Sequence, residues 1–244
     1  MSSDIRLAKL IAERGYCSRR KAEDFILEGR VQVEGQVHTD LGEKVFSDCD
    51  ILIDNKPLEK EIKGRIWAFH KPTHLICSHE DPENRQTIYA YLKNKYASLS
   101  HLISVGRLDY MSEGLLLLTN KGSYAHQLEK PSESMIRTYD IKVAKEFTPS
   151  MISALSNGIT IDDIRYKAIK VHPLEQVGSK NWYRFKLTEG KNREIRKILE
   201  YFHIPLARLK RVAYGPIKLG SLEKGALKEL SSLEIKTLLK TGEN

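Results

Sequence analysis

The sequence predicts an α+β protein in two parts, residues 1–60 and 61–244. Three observations predict it. The first part reads as two short amphipathic helices followed by a hairpin, and the second mixes alternating β-like stretches with short helical ones. Between them in importance stands Ser104–Gly122, SVGRLDYMSEGLLLLTNKG, around which the chain is organised. Its run Leu115-Leu116-Leu117-Leu118 follows Gly114 and ends at Thr119-Asn120-Lys121-Gly122. Such a run fits a buried strand ending in a turn, although a short apolar run also fits buried helix. One carboxylate, Asp109, precedes it on a loop, and a loop abutting a buried strand holds a reactive acid on rigid support. From spacing alone an ordinary loop aspartate is the favoured reading.

Taken in order, Asp4 can cap a helix over Ile5–Arg14, with Leu7, Leu10 and Ile11 on one face and Gly15 beyond its end. Ser18 can cap a second helix from Arg19 to Glu28, with Ala22, Phe25 and Ile26 inward and Gly29 as its stop. Arg19, Arg20 and Lys21 fall in its first turn, where cations oppose the helix dipole. The same turn offers free N–H groups to a phosphate, so the cluster reads either as an RNA contact or as a solvated basic turn. Val31–Val33 and Gln36–His38 flank Glu34-Gly35, a two-residue hairpin signal, and Asp50–Asp54 adds a strand. A charged, Gly-ended boundary follows at Leu58–Gly64.

The second part opens with a strand at Ile66–Phe69 and a short helix at Gln86–Leu92. After the central stretch come a strand at Arg137–Val143, a helix at Pro149–Leu155, and strands at Tyr166–His172 and Trp182–Leu187. A second dense signal is TEGKNREIRKIL, Thr188–Leu199: glycine, then a helix carrying Arg193, Arg196 and Lys197 on adjacent turns with Ile195, Ile198 and Leu199 inward. Arg208, Lys210 and Arg211 continue the basic surface, with Tyr201, Phe202 and Tyr214 interleaved. Basic groups track phosphates and aromatics stack on unpaired bases.

Composition narrows the class. Hydrophobic content of 41% with 30% charged residues fits a globular chain and excludes a disordered one. No run approaches the ~18 apolar residues of a membrane helix, and the N-terminus lacks a secretory pattern. Three dispersed cysteines, Cys17, Cys49 and Cys77, point to a reducing, cytoplasmic setting. The net charge of +8 is concentrated beyond residue 60, which suggests a polyanionic partner. His70, His74 and His79 invite a metal, but Pro72 forbids a helix presenting the first two on one face and no ligand spacing completes the set. No phosphate-binding glycine motif supports a nucleotide cofactor.

LAKLIAERGYCSRRKAEDFILEGRVQVEGQV resembles the S-four RNA-binding module, and GRLDYMSEGLLLLTNKG, RTYDIKV and EGKNREIRKIL follow it in order. Together they resemble the RsuA/RluB family of bacterial rRNA pseudouridine synthases, over roughly residues 4–240. The resemblance implies a catalytic domain with a mixed, mostly antiparallel sheet, flanking helices and a cleft. It implies isomerisation of one uridine in rRNA, with no metal, redox agent or other cofactor. Asp109 becomes the carboxylate beside the sugar, either attacking the anomeric carbon or removing a neighbouring proton. Burial disfavours a charged carboxylate, and the family pattern gives Arg196 the task of facing it. Tyr139 matches the tyrosine that stacks on the uracil and is the candidate for handling the departing ring proton. Arg107 matches an RNA- or base-positioning arginine; Lys191, Arg193 and Lys197, with Arg19, Arg20 and Lys21, are the expected RNA contacts. The target base must be unpaired or flipped out.

The sequence departs from the family pattern at Met111, where Asp or Asn is usual, and at Thr73-His74, where glycine is usual. Glu113 invites pairing with Asp109 as in a two-carboxylate glycosidase. The segment Asp81–Ile88 looks more like the large-subunit members. The alternatives are a small-subunit enzyme, a catalytically inactive RNA-binding or ribosome-assembly factor, and a uracil-releasing hydrolase. A monomer, without membrane association, is expected.

Overall fold

In the computed structural model, residues 4–243 are described, apart from 98, 100, 131, 177 and 178. The fold is α+β. Near the N-terminus, helices Leu7–Glu13 and Arg19–Leu27 pack on a four-stranded antiparallel sheet ordered Gln36–Val37, Val31–Val33, Ile51–Ile53, Lys56–Pro57. Leu7, Ile11, Phe25, Ile26, Val31, Ile51 and Ile53 form its core. Ser18 caps the second helix by accepting from the Lys21 N–H at 3.2 Å. The hairpin turns on Glu34 and Gly35, both at positive φ, as a two-residue turn of this kind requires.

The first helix corrects the expectation. Asp4 does not cap it; Asp4–Arg6 is a strand pairing antiparallel with Lys44–Phe46, and the helix begins at Leu7. The ladder takes the backbone that a cap would have used, and the Leu7 N–H donates to the Glu43 carbonyl.

The remainder is built on a nine-stranded mixed sheet. Its main path runs Lys170–Gln176, Ser179–Leu187, Arg137–Val143, Leu206–Tyr214, Glu113–Thr119, Ile66–Lys71, Leu227–Glu229. Every pairing is antiparallel except Leu206–Tyr214 with Glu113–Thr119, which is parallel. The four-leucine run lacks alternation because both faces of its strand are covered. Leu115 and Leu117 pack with Tyr214 and Leu238, under helices Gly122–Glu129 and Ser232–Glu243. Leu116 and Leu118 pack with Phe69, Ile88 and Leu92, under helix Ile88–Lys95. Helices Pro149–Ser156 and Glu194–Tyr201 cover a third core around Ile141, Phe185 and Leu209.

Three further expectations are corrected. Tyr166–His172 is not one strand: Ile164–Tyr166 pairs back on Ile159–Ile161, and a separate strand starts at Lys170. Between them the Lys167 N–H is taken by the Glu189 carboxylate at 2.7 Å instead of a ladder. Leu206–Tyr214, read as basic surface, is a central strand, and its Arg211 is buried. Arg193 is not carried on a helix; it precedes Glu194–Tyr201 with a left-handed φ of 51°.

Candidate active site

The parallel junction shapes the site. Gly114 has φ +109°, and a Cβ there would lie 2.2 Å from the Arg211 carbonyl oxygen. Only glycine lets the two strands approach so closely. Just before this junction the chain forms a tight loop, with the Ser112 N–H bonded to the Asp109 carbonyl at 3.0 Å. Beneath the loop lies Lys71, wholly buried at the end of strand Ile66–Lys71. Its Nζ donates to the carbonyls of Pro72, Asp109 and Ser112 at 2.9, 3.2 and 2.9 Å. Burial pushes this amine down to about 8, and the three carbonyls compensate the ammonium. A further tie runs from the His74 N–H to the Tyr110 carbonyl at 2.7 Å. His74 makes it at φ +64°, a left-handed conformation that glycine adopts freely.

The loop so fixed presents Asp109 to a cleft of about 820 Å³. Arg196, from the first turns of helix Glu194–Tyr201, faces it: Nε donates to Asp109 Oδ2 and Nη2 to the buried Ser112 Oγ, each at 3.2 Å. The Arg196 side chain is 16% exposed and that of Asp109 38%, so the pair is sheltered but open to a ligand. Tyr139, from strand Arg137–Val143, lines the same cleft and stands directly across from Arg211. The guanidinium groups of Arg137 and Arg211 lie 5.1 and 5.2 Å from the centroid of the Tyr214 ring. Their Nη1 and Nη2 atoms, respectively, lack partners among the described residues. Arg137 and Arg211 therefore bring cationic groups into the cleft beside the paired Asp109 carboxylate.

Of the other expected RNA contacts, Arg107, Lys191 and Arg193 also line the cleft, and Lys197 does not. Lys191 pairs with Glu189, and Arg193 with Glu200 at 3.6 Å. The loop carrying them is tied down by Glu194, whose buried carboxylate accepts from the Lys191 N–H at 3.0 Å. Burial, together with the neighbouring Glu189 carboxylate, pushes Glu194 up to about 7. Arg19, Arg20 and Lys21 lie outside the cleft lining, exposed on the first turn of Arg19–Leu27.

The pairing of Asp109 with Glu113 fails. Glu113 is buried outside the cleft lining and bonded to Arg208 at 2.5 Å and Lys224 at 2.7 Å. Met111 is exposed and also outside the lining. Among the described residues no cluster of His, Cys, Asp or Glu is placed to hold a metal, and no helix is long and apolar enough to cross a membrane. Sequence reasoning passed over Lys71 and Ser112. The signal for Lys71 was a lysine immediately before proline, following the apolar stretch Ile66–Phe69 and His70; nothing local distinguished Ser112.

An RNA-modifying enzyme is the class that this fold defines: a solved structure described as a pseudouridylate synthase superimposes with a TM-score of 0.67 at 25% identity, covering 96% of this chain and 99% of the other. The S4 domain profile matches residues 5–46 and that of RNA pseudouridylate synthase residues 65–201. An uncharacterized RNA pseudouridine synthase of Rickettsia typhi is 39% identical over 96% of this chain and 95% of its own. Ribosomal large subunit pseudouridine synthase B of Pseudomonas aeruginosa is 37% identical over 96% of this chain and 61% of its own. The chain belongs to the RNA pseudouridine synthase family, whose enzymes are isomerases.

Proposed function

We propose that the protein converts one uridine of large-subunit rRNA to pseudouridine, with Asp109 as the reacting carboxylate. The observation that carries the reading is the Asp109–Arg196 pair, set in a cleft that also holds Tyr139. In this reading the flipped uridine lies with its sugar at Asp109 and its ring against Tyr139. Arg196 donates to the acid and faces it with a positive charge in a sheltered site. The acid either attacks the anomeric carbon or removes a neighbouring sugar proton. The glycosidic C–N bond breaks, the uracil turns in place, and its C5 bonds to the anomeric carbon, displacing Asp109 in the first route or with return of the abstracted sugar proton in the second. The C5 proton is then lost, with Tyr139 the candidate to handle it, and N1 takes up a proton, which completes the isomerisation. The cationic groups of Arg137 and Arg211, with Arg107, Lys191 and Arg193 also lining the cleft, suit the surrounding phosphates and carbonyls.

The large subunit is favoured by relatives in Pseudomonas aeruginosa and Haemophilus influenzae, both named ribosomal large subunit pseudouridine synthase B. The N-terminal unit, ending near residue 60, supplies a second RNA grip through Arg19, Arg20 and Lys21. Its core draws on residues 7–53, with Leu58 packed against it, which supports that division. Ribosomal RNA as substrate places the work in the cytoplasm. The test is a map of pseudouridines in rRNA from cells with and without the gene. One large-subunit position should lose its modification and regain it on complementation. An unchanged map in both subunits would remove the proposal, and a lost position in the small subunit would redirect it.

A further inference from the structure

Four strands at one end of the large sheet use only one face for the cleft floor and the core beneath helices Pro149–Ser156 and Glu194–Tyr201. Pairing register fixes what stands on the other face. Lys170 is directly opposite Lys186. One row further, Arg184, Asp140, Lys210 and Glu113 stand side by side across four strands. In the next row Trp182 is opposite Lys142, and Lys142 opposite Arg208. The two carboxylates are already engaged, Asp140 by Arg184 at 2.7 Å and Glu113 by Arg208 and Lys224. Lys142, Lys170, Lys186 and Lys210 have no ion-pair partner among the described residues, and all are at least partly exposed.

This arrangement works against the sheet. Like charges directly opposite on neighbouring strands destabilise the pairing: Lys170 faces Lys186 with no acid engaged by either among the described residues, and Lys142 faces Arg208, whose guanidinium Glu113 engages from the strand on its other side. A polyanion laid across the face would reverse the sign of that interaction. The chemistry favours nucleic acid over protein. Lysine is depleted from the centres of protein interfaces, whereas lysine and arginine carry the phosphate contacts of nucleic-acid complexes. Adjacent strands lie about 4.8 Å apart, so Lys186, Lys142 and Lys210, on three successive strands, fall within one patch roughly 10–15 Å across. The patch lies on the side of the strands opposite Tyr139, and the Lys170–Gln176 strand at its margin ends the sheet path. RNA held there cannot be the segment whose base is flipped.

We propose that this open sheet face binds backbone phosphates of a second segment of the RNA substrate, remote from the modified nucleotide. The proposal rests on the reading of the chain as an rRNA-modifying enzyme. The test is the full-length variant Lys142→Gln/Lys186→Gln/Lys210→Gln against wild type. Two probes are used: protein-free large-subunit rRNA, and a hairpin of about 20 nucleotides with an unpaired uridine, too short to occupy both faces. For the long RNA, Kd should rise about tenfold or more at 0.15 M salt, and the slope of log Kd against log salt should flatten by about 3. For the hairpin both should change by less than about twofold, since exposed charges beyond ~8 Å are screened. The thermal midpoint should hold or rise, because opposed cations are removed. Unchanged affinity and slope on the long RNA would overturn the proposal; so would equal losses on both probes, or a midpoint lowered by several degrees. Affinity is read without turnover. A wild-type protein that binds the long RNA but forms no pseudouridine would therefore sink the catalytic reading and leave this one standing or falling on its own numbers.

Discussion

Replacing Arg196 by methionine keeps most of the side chain's volume and removes its charge. In the structure that charge lies 3.2 Å from Asp109 Oδ2. At an effective dielectric of about 20, the attraction is about 5 kcal/mol. Asp109 is 38% exposed, so water screens part of it. Halving the figure leaves about 2–3 kcal/mol, which matches a charge-assisted hydrogen bond and converts to about 30- to 150-fold in rate. Arg196→Lys should recover only part, because one ammonium cannot reproduce the fork that reaches both Asp109 and Ser112. The assay is single-turnover release of tritium from C5-labelled uridine in rRNA, with RNA affinity measured in parallel. Turnover should fall while affinity changes by less than about threefold, since Arg196 is one of several cleft cations. A methionine variant within twofold of wild type in turnover, or one whose whole loss lies in RNA binding, would refute the reasoning.

Glu194 supplies a pH dependence. Folded, its carboxyl holds the proton to about 7, whereas it would otherwise release it near 4.5. Between those values the folded state binds more protons, so this group's contribution is present in full below about 4.5 and lost as pH rises through about 7. Glu194→Gln should therefore melt higher than wild type at pH 8 and close to it at pH 4.5; an equal difference at both would contradict this. Gly114→Ala should cost about 4 kcal/mol or more by driving a Cβ into the Arg211 carbonyl, and soluble yield should collapse. Gly106→Ala, also at positive φ but with open space around it, should cost about 1–2 kcal/mol, and equal melting of the two variants would discard the close-approach argument. Lys71→Met strands three carbonyls at about 1 kcal/mol or more each, lowering the midpoint by about 6–12 °C, as calorimetry would read; a shift under about 2 °C would mean the loop is held by something else.

What could be read from the sequence followed the pattern of burial. Arg137–Val143 was legible to the residue because its side chains keep a strand's alternation. The leucine run was legible as buried because nothing polar interrupts it, and the strand form, left open beside a helix, places alternate leucines in two cores. Leu206–Tyr214 was hidden by its charges. Arg208 and Lys210 belong to the open face, while Arg211 is sunk between strands and bonded to the Leu115 carbonyl at 2.7 Å. A buried arginine satisfied by backbone is indistinguishable in sequence from a solvated one. Lys71 was hidden in the same way. Asp109 and Arg196 are 87 positions apart, and no local pattern links them; only the likeness to a known family did. Asp4 misled because a good cap residue can be recruited by a ladder whose partner, Lys44–Phe46, lies far along the chain.

The central claim is tested most directly by Asp109→Asn, which keeps the shape of the side chain and its contact with Arg196 while removing the acid. Pseudouridine in rRNA incubated with the purified variant is read by mass spectrometry, beside the variant's affinity for the same RNA. Wild-type affinity with no detectable product is the predicted result. Product formed at the wild-type rate would contradict the account.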